Sequence, residues 1–176
     1  RTSRDYFDPT FGSEPSYGTR GRSHRAELRG RWGEAEGLRV DFGADREWSR
    51  FSSTFDARRK AAASSAHAML GWHQTGFDIT AGARIDDHSR FGSEVTLGAN
   101  GSVALGRGWR LRASYGEGFK APTLFQLFSD YGNQLLQPER SRSFDAGIEL
   151  GDRNVYGVHA ALTLFRRDTR NLIDYV

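Results

Sequence analysis

The 176-residue sequence contains no cysteine, which rules out disulfide frameworks, thiolate metal sites and cysteine nucleophiles. It also lacks any run approaching the roughly 18 consecutive apolar residues of a membrane-crossing helix, so a helical membrane protein is excluded. The apolar content of an ordinary globular core is missing too: hydrophobic residues make up 37% and mean hydropathy is −0.65. Neither sign of charge dominates, because 25 basic and 22 acidic side chains are interspersed along the chain; with no basic patch, no nucleic-acid partner is expected. The chain opens at Arg1, its only methionine is Met69, and no charged-then-apolar leader precedes the first strand. The closing NLIDYV (Asn171 to Val176) carries no terminating signal, so a segment of a longer protein is expected.

What is present is a period of two. Ala26, Leu28, Gly30 and Trp32 share one parity against Arg25, Glu27, Arg29 and Arg31, and after GEAEG the pattern resumes with Leu38, Val40, Phe42 and Ala44 against Arg39, Asp41, Gly43 and Asp45. It runs to about Trp48, stops over the polar, basic stretch 49–60, and returns with Ala66, Ala68, Leu70 and Trp72. Phe77, Ile79, Ala81, Ala83 and Ile85 alternate with Asp78, Thr80, Gly82, Arg84 and Asp86 in the cleanest case. Alternation of this kind denotes half-buried strands, since a helix would spread those charges around every face. Four further segments, 94–105, 109–115, 143–150 and 156–164, behave alike, giving eight strands, while 1–21 reads as an irregular loop.

The connections carry a second signal. Short ones at 33–37, 73–76, 106–108 and 151–154 alternate with longer ones at 49–60, 87–93 and 116–142, as in outer-membrane barrels with tight periplasmic turns and longer outer loops. Trp32, Trp72, Phe77, Trp109 and Tyr156 lie near the short turns, and Trp48, Phe51, Tyr115 and Phe144 near the long ones, as two aromatic girdles would. Only alternate residues of a barrel strand need to face lipid, so a polar, Gly-rich chain fits an all-β, antiparallel transmembrane barrel segment.

No catalytic constellation is visible, and neither enzyme activity nor a cofactor is expected. Asp86, Asp87 and His88 are adjacent on a strand and point to opposite faces, so no metal site is expected. The charges of the polar face read as a solvated, mutually compensating lumen wall, individual members of which could guide substrate. The 116–142 connection is far longer than a hairpin needs. It holds Phe119, Leu124, Phe125, Leu127, Phe128 and Tyr131, too apolar for simple disorder. Its aromatics either pin it to neighbouring loops or the lumen wall, or contact a small molecule together with Lys120, Asp130 and Asn133. YGN forms a turn near its middle, and the candidate ligand contacts are Tyr131, Asn133, Phe128 and Lys120.

The motifs GFKAPTLFQLF, YGNQLLQPERSRSFDAGIEL and FRRDTRNLIDYV, with ITAGARIDDHSRFG upstream, resemble the barrel segment of TonB-dependent outer-membrane receptors, most of all the cobalamin transporter group. The resemblance is good from about Phe77 to Val176 and general before that. It implies a barrel of about 22 strands with a plugged lumen, of which residues 1–176 supply a partial barrel domain of about eight strands, without the plug and the remaining strands. It also implies uptake of cobalamin or a ferric siderophore across the outer membrane of a Gram-negative cell. The implied partners are membrane lipid, the nutrient, and TonB acting through the absent plug region. The alternatives are a self-contained eight-stranded structural or adhesion barrel and a soluble extended sheet that binds a partner.

Overall fold

A computed structural model of the chain describes residues 2–7, 10, 12, 15–55, 57–130, 132–151 and 157–174. Among them nine strands run β1 (Thr2–Tyr6), β2 (Tyr17–Gly33), β3 (Gly37–Ser53), β4 (Arg59–Gln74), β5 (Phe77–His88), β6 (Gly92–Gly106), β7 (Trp109–Lys120), β8 (Glu139–Leu150) and β9 (Ala160–Arg170). One short helix, α1 (Leu124–Phe128), lies between β7 and β8. The strands form a single antiparallel sheet in sequence order, so every neighbour is reached by the next turn of the chain.

Burial in this sheet is inverted relative to a water-soluble sheet. Along β5 the apolar residues Phe77, Ile79, Ala81, Ala83 and Ile85 are exposed, whereas Asp78, Thr80, Gly82, Arg84 and Asp86 are half-buried or buried; Ile79 is 48% exposed and its neighbour Thr80 only 7%. Directly opposed residues of an antiparallel pair share a face, so the register carries that apolar face across the sheet: Leu28 opposes Ala44, Ala44 opposes Ala66, Ala66 opposes Ile85, and Ile85 opposes Val95. An apolar surface this continuous belongs against hydrocarbon.

The polar face binds itself together instead. Asp45 on β3 lies 2.9 Å from Arg25 of β2 and 3.6 Å from Arg84 of β5, and accepts a hydrogen bond from the Ser65 hydroxyl of β4, so one carboxylate links four strands. Arg84 is also 2.8 Å from Asp86. Nearer one rim Asp41 takes Arg31 and Arg39, and across β7 and β8 Arg112 meets Glu149 at 3.1 Å while the Ser114 hydroxyl donates to Asp145. These are the charges of a polar wall, mutually compensated.

Turn chemistry fits the tight hairpins. At 107–108 both central residues have positive φ, 53° for Arg107 and 80° for Gly108, the requirement of a type I′ turn whose twist matches that of its strands. At 75–76 Gly76 takes φ 81°. On the apolar face the Phe42 ring lies across Gly30, where an added Cβ would stand 2.3 Å from Cζ, an aromatic ring covering a strand glycine.

Several elements differ from the sequence expectation. The described residues form nine strands, because 2–6 forms β1 against Tyr17–Gly21 within the stretch read as irregular. Strands β2, β3, β4, β7 and β8 also run past the alternating segments, from Tyr17, to Ser53, from Arg59, to Lys120 and from Glu139, and the last strand, expected over 156–164, is shifted to Ala160–Arg170. Past the apolar band neither face meets hydrocarbon, so side-chain alternation ends while the backbone ladder continues. The long connection shrinks to 121–138. The turn after β5 is only 89–91, no longer than 34–36, so connection lengths do not alternate strictly; the antiparallel order is what places 34–36, 75–76 and 107–108 at one rim and 54–58, 89–91 and 121–138 at the other. The 152–154 part of the fourth short turn, and Tyr156 of its girdle, lie outside the described residues. The remaining girdle positions hold except one. Trp32, Trp72, Phe77 and Trp109 are exposed on the apolar face near the first rim, and Trp48, Tyr115 and Phe144 near the second. Phe51 shares the parity of Asp45 and Glu47, faces the polar side and is 5% exposed. It is not a girdle residue.

From Val40, which opposes Trp32, to Trp48 there are eight steps along β3, roughly 26 Å at about 3.3 Å per residue, enough for a tilted strand to cross a thin apolar band. Two outcomes follow for the full-length protein that carries this chain. Single cysteines at Thr54, Arg90 or Asp130 label with an impermeant reagent on intact cells, while those at Ala35, Thr75 or Arg107 do not; equal labelling contradicts a membrane-spanning sheet. Ile79→Arg or Leu97→Arg impairs assembly at a cost of about 2–4 kcal/mol, whereas Thr96→Arg and Asn100→Arg, on the polar face, assemble normally on unheated gels.

Candidate functional site

The 121–138 connection is built around α1. Pro122 precedes the helix, and Thr123 caps it reciprocally: the Gln126 N–H donates to Thr123 Oγ1 at 3.2 Å and the Thr123 N–H donates to Gln126 Oε1 at 2.9 Å. Thr-x-x-Gln is a capping box. After the helix the Ser129 N–H returns to Phe125 O (3.0 Å) and the Asn133 N–H to Gln126 O (2.8 Å), which turns the chain back toward β8.

Its apolar side forms a compact core of its own. Leu127 (1% exposed) and Phe128 (8%) pack with Phe51, joined by Phe91, Leu124, Phe125 and Leu136 at the margin. Phe125 meets Phe51 edge-on at 5.9 Å between ring centres. Because Phe51 faces the polar side of the wall, the helix lies over that side, against β3 and β4, and not above its own strands β7 and β8. Two guanidinium groups close the packing, with Arg59 at 4.8 Å and Arg90 at 5.2 Å from the Phe128 ring centre; such contacts are worth about 0.5–2 kcal/mol each. Arg90 also donates to Gln134 O at 3.0 Å, tying the loop to the turn after β5.

The base of the loop is fixed separately. Lys120 Nζ is 3.0 Å from Glu139 Oε1, whose carboxylate also accepts the Ile173 N–H at 3.0 Å. This pair is the outermost one of β7 and β8, beyond the apolar band. The Lys120 hydrogen bond, ahead of the Ile173 N–H, holds the Glu139 carboxyl below the usual range. Asn171 Nδ2 donates to Pro138 O at 3.3 Å, so the end of β9 braces the same corner.

These placements distinguish the candidate contacts. Phe128 lies beneath the loop in its core, Lys120 is engaged at the loop's base, and Asn133 is exposed. Asn133 Oδ1 accepts the Leu135 N–H at 2.9 Å, which leaves its amide N–H groups without a partner among the described residues. Tyr131 lies outside the described residues. No hydrogen bond or ring contact joins Lys120, Phe128 and Asn133 to one another, so they do not form one cluster. Between α1 and the polar wall is a recess of about 420 Å³ whose lining includes Arg22, Glu47, Ser49, Arg50, His88 and Thr123, so residues with hydroxyl, carboxylate, imidazole and guanidinium groups border it. Asp86, Asp87 and His88 diverge: Asp86 pairs with Arg84, Asp87 accepts from Ser93, and the His88 ring sits 5.1 Å from that of Phe91. Sequence reasoning missed Phe51, Arg59 and Arg90 as anchors, because nothing local marks a residue whose partner in the loop is distant in sequence. The capping box at Thr123, by contrast, was readable.

Comparison with known proteins matches this architecture. Residues 1–176 match the family of TonB dependent receptor-like β-barrels. Among solved structures, the siderophore receptor PirA from Pseudomonas aeruginosa is 27% identical, with a TM-score of 0.73 over 87% of this chain and 32% of its own. The ferric enterobactin receptor PfeA from Pseudomonas aeruginosa, solved as a variant with enterobactin, is 22% identical, with a TM-score of 0.76 over 93% of this chain and 29% of its own. The copper transporter OprC shares the fold at 14% identity and a TM-score of 0.62, over 77% of this chain and 28% of its own. The chain thus spans under a third of each of these relatives. With the family matched from end to end and the apolar face turned outward, the chain belongs to the TonB-dependent receptor family and forms a stretch of its outer-membrane β-barrel.

Proposed function

We propose that this chain is part of the wall and outer rim of a receptor that takes up a ferric siderophore or cobalamin, energised through TonB by way of a plug domain outside residues 1–176. The observation that carries the reading is the inward fold of 121–138. A loop laid over the polar side of the wall narrows the entrance and presents its exposed turn to whatever enters, which is where a nutrient receptor needs contacts. The rim bearing α1 is then the outer one. The named siderophore receptors among the relatives favour a ferric siderophore over cobalamin.

Within the loop, Asn133 and Tyr131 are the proposed direct contacts and Lys120 a charged neighbour at the base, while Phe128 contributes by holding the loop in place.

In the full-length receptor, replacing both Tyr131 and Asn133 with alanine weakens ligand binding by about 1–3 kcal/mol, with the barrel still resistant to denaturant. The assay is a titration with cobalamin and a panel of ferric siderophores. Unchanged affinity for every ligand removes these two residues from the site, and a barrel that fails to assemble shows the loop to be architectural.

A further inference from the structure

The ladder between β6 and β7 ends early. Its outermost registered pair is Gly98–Gly116, one residue past the lipid-facing pair Ala99–Tyr115. Both strands go on, β6 to Gly92 against β5 and β7 to Lys120 against β8. Among the described strands no other neighbouring pair separates while both members continue. A crevice of about 670 Å³ lies between Glu94, Val95 and Thr96 on one side of this seam and Glu117, Gly118 and Arg140 on the other. Hydrocarbon explains where the ladder stops. A backbone polar group facing lipid must be paired within the sheet, whereas past the Tyr115 girdle water serves instead, so the ladder persists as far as the apolar band requires and no farther.

Side chains span the seam in place of the ladder. The Leu97 N–H donates to Glu117 Oε2 at 3.1 Å and not to a strand carbonyl. Glu117 is held from its own side by the Tyr115 hydroxyl at 2.7 Å and by Arg142 at 3.3 Å. Farther out, Arg140 of β8 reaches past β7 and donates to both carboxylate oxygens of Glu94 on β6, at 3.0 and 2.7 Å. The glycine pair beneath these contacts is bare. Among the described residues, a Cβ added at Gly98 would meet only Tyr115 O, at 3.9 Å, and one added at Gly116 only Ser143 Oγ, at 3.5 Å. Above them the 121–138 loop leaves β7, crosses the seam, docks on Phe51, Arg59 and Arg90, and returns to β8.

We propose that the seam opens and closes about the Gly98–Gly116 pair, with the loop and the Glu94–Arg140 pair as its clasps. Opening breaks no strand ladder, because β6 moves with β5 and β7 with β8. What it breaks is the single bond to the Leu97 N–H, an exposed ion pair of the kind that contributes little to stability, and the small docked core of α1. The two stems of the loop stand on one side of the seam and its docking residues on the other. Widening the rim therefore lifts α1 from β3 and β4 in the same motion. The device rests on the outer-membrane placement and is independent of which nutrient enters.

The test is the distance between paired nitroxide labels in the full-length receptor in bilayers. Ser93 and Arg170 carry the outer pair, at the rim ends of β6 and β9, and Leu105 and Ala160 the control pair, near the opposite ends of the same strands. With otherwise wild-type sequence the outer pair gives two populations, the longer displaced by about one strand spacing, roughly 5 Å. E94Q/R140Q and R59Q/R90Q each enlarge the longer population by about two- to fivefold, the range that loss of one exposed ion pair or cation–π contact produces. The control pair gives one population, unchanged in both variants. A single narrow outer distance without these substitutions overturns the proposal whether or not the variants assemble. So does equal broadening at the control pair, which would make the effect one of general wall flexibility. An outer distribution that neither variant alters would assign the spread to the labels and overturn it as well.

Discussion

The structure depends on one constraint: a wall a single sheet thick, with hydrocarbon along one face, must find its backbone hydrogen bonds within the sheet and send most of its polar side chains to the other face. The in-order antiparallel ladder meets the first requirement with the shortest connections available. Strict alternation meets the second, and it concentrates charge on one side. Arg25, Asp45, Arg84 and Asp86 are consequences of that sorting. Once turned inward they must compensate one another, and Asp45 does so across four strands.

Such a wall has almost no interior. Among the described residues its one buried apolar cluster joins Phe51 of β3 to Leu127 and Phe128 of the loop, so it lies where the loop docks and not between strands. Ordering a loop of this length requires burial to offset its conformational entropy, and the wall supplies a single aromatic at the right height on the polar side. Arg59 and Arg90 then cap Phe128 from neighbouring connections. The same packing that orders the loop leaves Asn133 on its other side exposed, so one short segment has a packed side and an open one.

Most of the wall was legible in the sequence because period-two alternation and lipid facing are the same fact. Ile79 and Thr80 could be assigned to opposite sides from their identities alone, and the directly opposed register follows from the turns. Legibility failed where hydrocarbon stops. β1 and the outer ends of β3, β4, β7 and β8 keep their ladders without alternating side chains, so they looked like loop. Phe51 was placed in a girdle because aromatics near a rim usually sit there; its parity with Glu47 and Asp45 already placed it on the polar side. The loop's own fold was partly visible in Thr123 and Gln126. Its docking partner was not, since Arg59 and Phe51 are distant in sequence and chemically ordinary. Of the candidate contacts, sequence could name residue types suited to a ligand but could not separate Phe128, taken up by packing, from Asn133, left exposed.

The central claim is that the half-exposed apolar parity faces lipid and the charged parity faces the lumen. Nitroxide labels introduced one at a time from Asp78 to Asp86 in the full-length receptor in bilayers test it directly, by comparing collision with oxygen, which concentrates in lipid, against a water-soluble nickel chelate. The account predicts an oscillation of period two, with oxygen maxima at Ile79, Ala81, Ala83 and Ile85 and minima at Thr80, Gly82 and Arg84. A flat profile, or maxima on the charged parity, would contradict it.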